Sequence, residues 1–252
     1  MSTPLEPLAL AREAILQPIG GTGLVEQTVR RLGEAIGLGI LEVGERLPAE
    51  PELSERLGIS PMTLREALSI LREAGYVETR RGRAGGTFVR RSVPPAPRSA
   101  ARGRLESLTV DDLRDLHDFR AAVSGAAAAL AAERATPQQT DALRGLVEQM
   151  QAAAATWSAF RRLDARFHLA IASAARSSRL VAAETQVQVE LRELLSLIPH
   201  PAEALRLSNG QHRAIAEAIV LRDGGLARGL TEAHARGTED FLLGLRLGRV
   251  GA

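Results

Sequence analysis

The chain of 252 residues contains no cysteine and no lysine, and aromatic residues make up only 3% of it. Without cysteine it can form neither disulfides nor thiolate metal sites, so zinc-finger motifs and cysteine nucleophiles are excluded. No apolar run reaches the roughly 18 residues that a membrane-spanning helix needs, and no signal peptide is evident. We therefore expect a soluble, cytoplasmic protein with no membrane partner. Abundant Ala and Leu favour helix over strand.

The basic residues are all arginines, which explains a pI of about 10.1 at a net charge of only +2. They are unevenly placed, because the segment from Thr79 to Arg104 contains many arginines and no acidic residue. Such a patch can attract a polyanion.

The clearest boundary is the proline-rich stretch "SVPPAPRSAARGR", which can continue neither a helix nor a central strand. It predicts two domains, since the length is sufficient for two. We predict a loose N-terminal arm at 1–21, a compact domain at 22–91, a linker at 92–106 and a second domain at 107–248.

Within the first domain, two short helices are joined by a tight turn. The first, "AEPELSERLG", ends at Gly58, and the second, "ISPMTLREALSILREAG", begins with Ser60 as N-cap and Pro61 in its first turn. The following "YVETRRGRAGGTFVRR" reads as a β-hairpin around a Gly- and Arg-rich turn. This order predicts a winged helix-turn-helix, whose second helix enters the major groove of DNA.

Six residues are the candidate DNA contacts: Ser60, Thr63 and Arg65 at the start of the second helix, and Arg81, Gly82 and Arg83 at the tip of the hairpin. The helix residues would face base edges, and the hairpin tip would approach the backbone or the minor groove. The alternative is a small surface domain with a solvated arginine hairpin. The helix spacing, the hairpin and the acid-free basic patch together favour DNA binding.

The stretch "GILEVGERLPAEPELSERLGISPMTLREALSILREAGYVETRRGRAGGTFV" resembles the GntR family of bacterial regulators. The resemblance implies binding of double-stranded operator DNA as a homodimer. Arg65 and Gly82 match the family pattern. Pro51 and Pro61 depart from it, since both stand where family members often carry an arginine that contacts DNA.

The second domain is almost purely helical in pattern. The apolar spacing predicts a bundle of six helices, at 109–134, 137–155, 157–175, 178–198, 202–221 and 224–247. Thr136-Pro137 and Asp223 are helix start signals. The predicted fold class is therefore mainly α, with an N-terminal winged helix-turn-helix followed by an all-α bundle.

Asp164 and His168 lie four residues apart in "LDARFHLAI", a spacing that places both side chains on one helix face. His212 and His234 each lie on a partly apolar face of another predicted helix. Three imidazoles and one carboxylate suit a divalent metal ion such as Zn, Ni or Mn. The alternative for each histidine alone is a hydrogen-bonded core residue, which we also expect to be ordinary for His117 and His200.

The order of these residues, D-x-x-x-H, then "H..I..AI", then a further histidine, resembles the FadR-type branch of the GntR family with an FCD effector domain. The resemblance implies a pocket in which the metal helps to hold a small carboxylate. It also implies that Arg120 points into this pocket. A surface ion pair of Arg120 with Asp115 or Asp118 is the open alternative. Ser124 departs from the family, which usually has Glu at that position.

The leading interpretation is a ligand-responsive transcription regulator, not an enzyme, whose helical domain binds a metal and a small organic acid. One alternative is a metal-sensing repressor, in which the metal is itself the signal. A metal-dependent hydrolase is the other alternative, and it would need a general base that we cannot identify beyond the metal ligands.

Overall fold

The computed structural model describes residues 8–82, 85–93, 98–197 and 202–248. The chain divides into two compact units, one comprising Ala11–Pro94 and the other consisting mainly of Pro95–Ala252. Within the described ranges, no helix is long and apolar enough to cross a membrane.

The first unit is a winged helix-turn-helix. Its elements are α1 (Ala9–Ile15), α2 (Leu24–Gly37), α3 (Glu50–Leu57), α4 (Pro61–Glu73), β1 (Val77–Arg80) and β2 (Gly86–Val89). The two strands pair antiparallel, with Val77 opposite Val89. The chain before α3 extends this small sheet, because the Val89 amide donates to the Glu45 carbonyl at 2.9 Å.

Helices α3 and α4 form where the sequence predicts them. Leu32, Leu53 and Leu64 are fully buried, so each of α2, α3 and α4 contributes an apolar face to one core. The Ser60 hydroxyl accepts a hydrogen bond from the Thr63 amide at 3.1 Å, which caps α4. Gly58 ends α3 with φ of 64°, a left-handed conformation that favours glycine.

The N-terminal arm predicted at 1–21 is not loose throughout. Residues 9–15 form α1, and Ile15 and Ile19 are buried. Arg12 makes two hydrogen bonds to the Glu45 carboxylate, at 2.6 and 3.0 Å. A helix of seven residues has too few turns to give a recognisable apolar period, which is why the pattern did not predict it.

The second unit is an all-helical bundle. Its helices are α5 (Arg98–Ser107), α6 (Val110–Arg134), α7 (Pro137–Ala152), α8 (Trp157–Ala174), α9 (Ser178–Leu194), α10 (Ala202–Val220) and α11 (Gly224–Arg246). Thr136 caps α7 in a capping box with Gln139, and Asp223 accepts from the Leu226 amide at 2.9 Å. Both predicted start signals are confirmed.

The linker predicted at 92–106 is too long, because α5 begins at Arg98. Ala101 and Leu105 are fully buried and pack with Leu194, Leu197 and Leu242. These partners belong to the far end of the chain, so the burial of α5 could not be recognised from its own arginine-rich sequence. The second unit therefore begins with a seventh helix.

Helix α6 lies at the centre of the bundle and packs against α8, α9, α10 and α11. Its buried face consists largely of alanines, whose small side chains let neighbouring helices approach closely. At Gly125 a Cβ would lie only 2.9 Å from the Glu232 carboxylate of α11. Because α6 is central, a polar side chain on its inner face is surrounded by protein.

Candidate functional site

Asp164 and His168 on α8, His212 on α10 and His234 on α11 converge inside the bundle. One ligand atom from each residue lies within 4.8 Å of the others, and all four side chains are buried. His212 Nε2 is 3.1 Å from Asp164 Oδ1 and 3.2 Å from His234 Nε2. The structure thus brings together all four predicted metal ligands, which come from three different helices.

The three imidazoles are uncharged at neutral pH. Burial lowers the pKa of His168 and His234 well below 6.5, and it lowers the pKa of His212 to about 3. The positive charges of Arg120 and Arg161 act in the same direction. Neutral imidazole is the form that offers a lone pair to a metal ion.

An unsatisfied atom of this cluster also fits a metal ion. His168 Nε2 is buried and has no hydrogen-bond partner. Leaving such a group unsatisfied costs about 1–3 kcal/mol. His234 Nδ1 lies 2.9 Å from Gln211 Oε1, a contact that leaves Nε2 as the ligand atom. Three nitrogens and one carboxylate oxygen are a donor set suited to Zn, Ni or Mn.

A cavity of about 350 Å³ adjoins the cluster. Asp164 and His234 line one side of it, and Arg120 and Arg161 contribute guanidinium groups. The remaining wall combines apolar and neutral polar side chains: Trp157, Phe160, Leu195, Ala204, Leu205, Leu207, Phe241, Ser208, Gln211, Gly237 and Thr238. Such a cavity can hold a compact organic molecule and recognise an anionic group on it.

Arg120 lies in the bundle and borders this cavity, with 4% of its surface exposed. It is therefore not the surface cation paired with Asp115 or Asp118 that was the open alternative. Its Nε has no hydrogen-bond partner. Burial lowers the pKa of Arg120 to about 10, against the opposing charge of Glu184, so the guanidinium stays charged at neutral pH.

Several polar residues around the cluster were missed by the sequence analysis. Arg161 forms a close ion pair with Asp164 Oδ2, and it donates to Gln188 Oε1 at 3.4 Å. Gln188 donates in turn to Glu184 Oε1 at 2.8 Å. Ser124 donates to the other Glu184 oxygen at 2.7 Å. Ser124, which stands where the family usually has Glu, thus hydrogen-bonds a buried acid that comes from α9.

On the first unit, the predicted contacts at the start of α4 are accessible. Arg65 is exposed, and its Nε donates to Glu50 Oε2 at 3.1 Å. Ser60 is exposed and Thr63 is partly exposed. Met62, which the sequence analysis did not single out, has 77% of its surface exposed beside them.

At the hairpin, Arg81 and Gly82 are exposed. Gly82 has φ of 100°, a conformation that L side chains rarely adopt. Arg83 lies outside the described residues, as does His200. His117 is separate from the metal-ligand cluster, and its Nδ1 lies 3.4 Å from the Glu239 carboxylate.

Comparison with known families gives two matches. The model described as "Bacterial regulatory proteins, gntR family" matches residues 24–89, and the FCD domain model matches residues 115–237. The first range covers the winged unit, and the second contains all four clustered residues and Arg120.

Among curated proteins, RmpR of Mycobacterium gastri, named as an HTH-type transcriptional regulator, is 40% identical over 210 residues. The match covers 82% of this chain and 76% of RmpR. An Escherichia coli K12 protein named for regulation of the L-lactate dehydrogenase operon is 32% identical, and the match covers 84% of this chain and 83% of that protein. The Glc operon transcriptional activator of the same strain is 30% identical, and the match covers 84% of this chain and 85% of the activator.

Among solved structures, the superposition on E. coli McbR/YncC covers 89% of this chain and 99% of the McbR/YncC chain. The TM-score is 0.54 and the sequence identity is 22%. At that identity the likeness shows a shared fold.

The relatives are transcription regulators and not enzymes, so the metal-dependent hydrolase alternative is set aside.

Proposed function

This chain belongs to the GntR family of bacterial regulatory proteins and carries an FCD effector domain, and from that premise we propose that it is a metal-dependent sensor of a small carboxylate. The observation that carries the proposal is the buried convergence of Asp164, His168, His212 and His234 beside a cavity that also contains Arg120. These four residues would hold the metal. The bound metal would supply a Lewis acid for a carboxylate group in the cavity.

The cavity supports a small anionic effector. Arg120 is buried, charged and without a hydrogen-bond partner at Nε, so a carboxylate would satisfy a donor that the protein leaves open. Relatives named for the L-lactate dehydrogenase and Glc operons support an organic acid of a few carbons.

The first unit would bind operator DNA through the start of α4 and the hairpin tip. We assign Ser60, Thr63 and Arg65 to the major groove, and Arg81 and Gly82 to the backbone or minor groove. The full-length protein would bind a two-fold symmetric operator as a homodimer. Effector binding would change operator affinity through a coupling free energy, typically about 1–3 kcal/mol.

The metal-sensing repressor is the second candidate. It is favoured by the depth of the cluster, since metal binding alone would satisfy the unpartnered His168 Nε2 and connect α8, α10 and α11. The two candidates differ in one respect. A metal sensor responds to the ion without any organic acid, whereas the proposed sensor needs both.

The test begins with selection of binding sites from genomic DNA by the purified full-length protein. Affinity for a selected site is then measured with the metal-loaded and the chelated protein, each with and without L-lactate, malate and succinate. The proposal expects an acid to change DNA affinity only in the metal-loaded protein. A change on chelation alone, with no effect of any acid, would support the metal-sensing repressor instead.

A further inference from the structure

Two arginines border the cavity, Arg120 buried and Arg161 with 13% of its side chain exposed, and only Arg120 was expected from the sequence. Arg161 lies on α8 and Arg120 on α6. Burial, together with the positive charges of Arg120 and Arg192, lowers the pKa of Arg161 to about 9. Each guanidinium therefore makes the charge of the other less favourable at this place in the protein. An anion bound between them would offset this repulsion.

The acids nearby are already engaged. Asp164 faces the histidine cluster through Oδ1, which is 3.1 Å from His212 Nε2. Glu184 accepts from Ser124 at 2.7 Å and from Gln188 at 2.8 Å. Among the described residues that line the cavity, Asp164 is the one carboxylate, whereas Arg120 and Arg161 both line it and a divalent ion in the cluster would add two further positive charges. The cavity would then carry excess positive charge.

Arg161 is held in place by contacts that leave part of its guanidinium free. One terminal nitrogen pairs with Asp164 Oδ2, and the other donates to Gln188 Oε1 at 3.4 Å. A guanidinium has five N–H donors, and Nε of Arg161 has no partner. Asp164 can keep Arg161 on Oδ2 while Oδ1 remains directed at the histidines. The same guanidinium can thus orient a metal ligand and bind an effector.

We propose that the effector is a compact dianion, with one carboxylate directed at the histidine cluster and a second anionic group held jointly by Arg120 and Arg161. The inference rests on the proposed sensor function and narrows its ligand class. The second group is a carboxylate or a phosphate, since both fit a pair of guanidinium groups. Arg161 is then a specificity-determining residue that distinguishes dianions from the corresponding monoanions.

The test is calorimetric titration of the metal-loaded full-length protein with matched pairs that differ in one anionic group. The pairs are butyrate and succinate, lactate and malate, and glycerate and 3-phosphoglycerate, whose phosphate adds about 1.5 to 2 negative charges at neutral pH. We expect at least one dianion to bind about tenfold or more tightly than its partner. Comparison of malate with 3-phosphoglycerate distinguishes a carboxylate from a phosphate as the second group.

Two substitutions assign the preference to Arg161. Arg161→Gln should remove most of the dianion preference, because loss of its contact with Asp164 affects both members of a pair whereas loss of its charge affects the dianion more. Arg161→Lys should restore part of the preference because the charge returns. Arg144→Gln is the matched control, since Arg144 forms an exposed ion pair with Glu217. Elemental analysis of each variant checks that metal content is retained.

The outcomes separate the two levels of the proposal. Monoanions that bind as tightly as their dianion partners would overturn the dianion inference and leave the carboxylate sensor standing. A dianion preference that persists in metal-loaded Arg161→Gln would also overturn the role of Arg161. Failure of every acid to bind the metal-loaded wild type would instead count against the proposed sensor function itself.

Discussion

Replacing His212 by Ala is the most direct perturbation of the candidate metal centre. His212 is fully buried, and its Nε2 lies close to both Asp164 and His234. Its ring centroid is 5.0 Å from that of Phe167 and 6.5 Å from that of Phe160. The substitution therefore removes a metal ligand and also leaves a packing defect, and the two effects must be measured apart.

The size of the metal effect follows from binding linkage. If free metal stands at about 100 times the dissociation constant, saturation stabilises the native wild type by about 2.7 kcal/mol. Loss of one ligand should weaken metal binding by about 100-fold or more. Mutation of a residue that only hydrogen-bonds a ligand already weakens metal binding by about 10- to 100-fold. At the same metal concentration, bound metal then stabilises the native variant by only about 0.4 kcal/mol. For a chain of this size, 1 kcal/mol shifts Tm by about 2–4 °C.

The assay compares Tm of metal-loaded and chelated protein for each variant. The packing defect, about 2–5 kcal/mol for a large-to-small core change, affects both states equally and cancels in this difference. We expect a difference of about 5–11 °C for wild type and about 1–2 °C for His212→Ala. His117→Ala, which changes a histidine outside the cluster, should keep the wild-type difference. A full wild-type difference in His212→Ala would refute the assignment of His212 as a ligand.

Three further predictions address other parts of the molecule. Gln211→Leu should weaken metal binding by about 10- to 100-fold, because it removes the partner of His234 Nδ1, and competition with a chelator measures this. Arg65→Ala should reduce affinity for a selected operator more than for random DNA; equal losses in gel-shift titrations would remove Arg65 from base readout. Leu105→Ala should destabilise the helical unit by about 2–5 kcal/mol in denaturant unfolding, because α5 packs into its core, whereas an exposed position would show little effect.

Helix positions in the second unit were predictable because their signals are local. Thr109 and Thr136 each form a capping box at the start of a helix, and a proline follows Thr136. These signals lie within a few residues of the helix starts that they specify. The predicted six helices agree with α6 to α11 within a few residues at each end. By contrast, α5 has only Ala101 and Leu105 on its buried face, and apart from Leu113 the buried residues that cover them lie about ninety or more positions away.

The DNA-binding unit was also accessible from the sequence, since helix, turn and hairpin follow one another within a short stretch. The glycine and proline positions that punctuate it carry conformational information directly, as φ of Gly58 and Gly82 illustrates. The helix α1 was missed, because seven residues give no recognisable apolar period and its hydrogen bonds from Arg12 to Glu45 join residues 33 positions apart.

For the candidate site, the sequence by itself determined that Asp164 and His168 share a helix face, because their spacing of four residues is a property of the α-helix. That His212 and His234 meet them was suggested by family resemblance, and only the packing of α8, α10 and α11 places the four ligand atoms within 4.8 Å. Arg161, Glu184 and Gln188 have no distinctive spacing and resemble ordinary surface residues in the sequence. Their burial, and with it the charge of the cavity, was decided by the tertiary structure alone, because desolvation and Coulomb interactions depend on which helices surround a side chain.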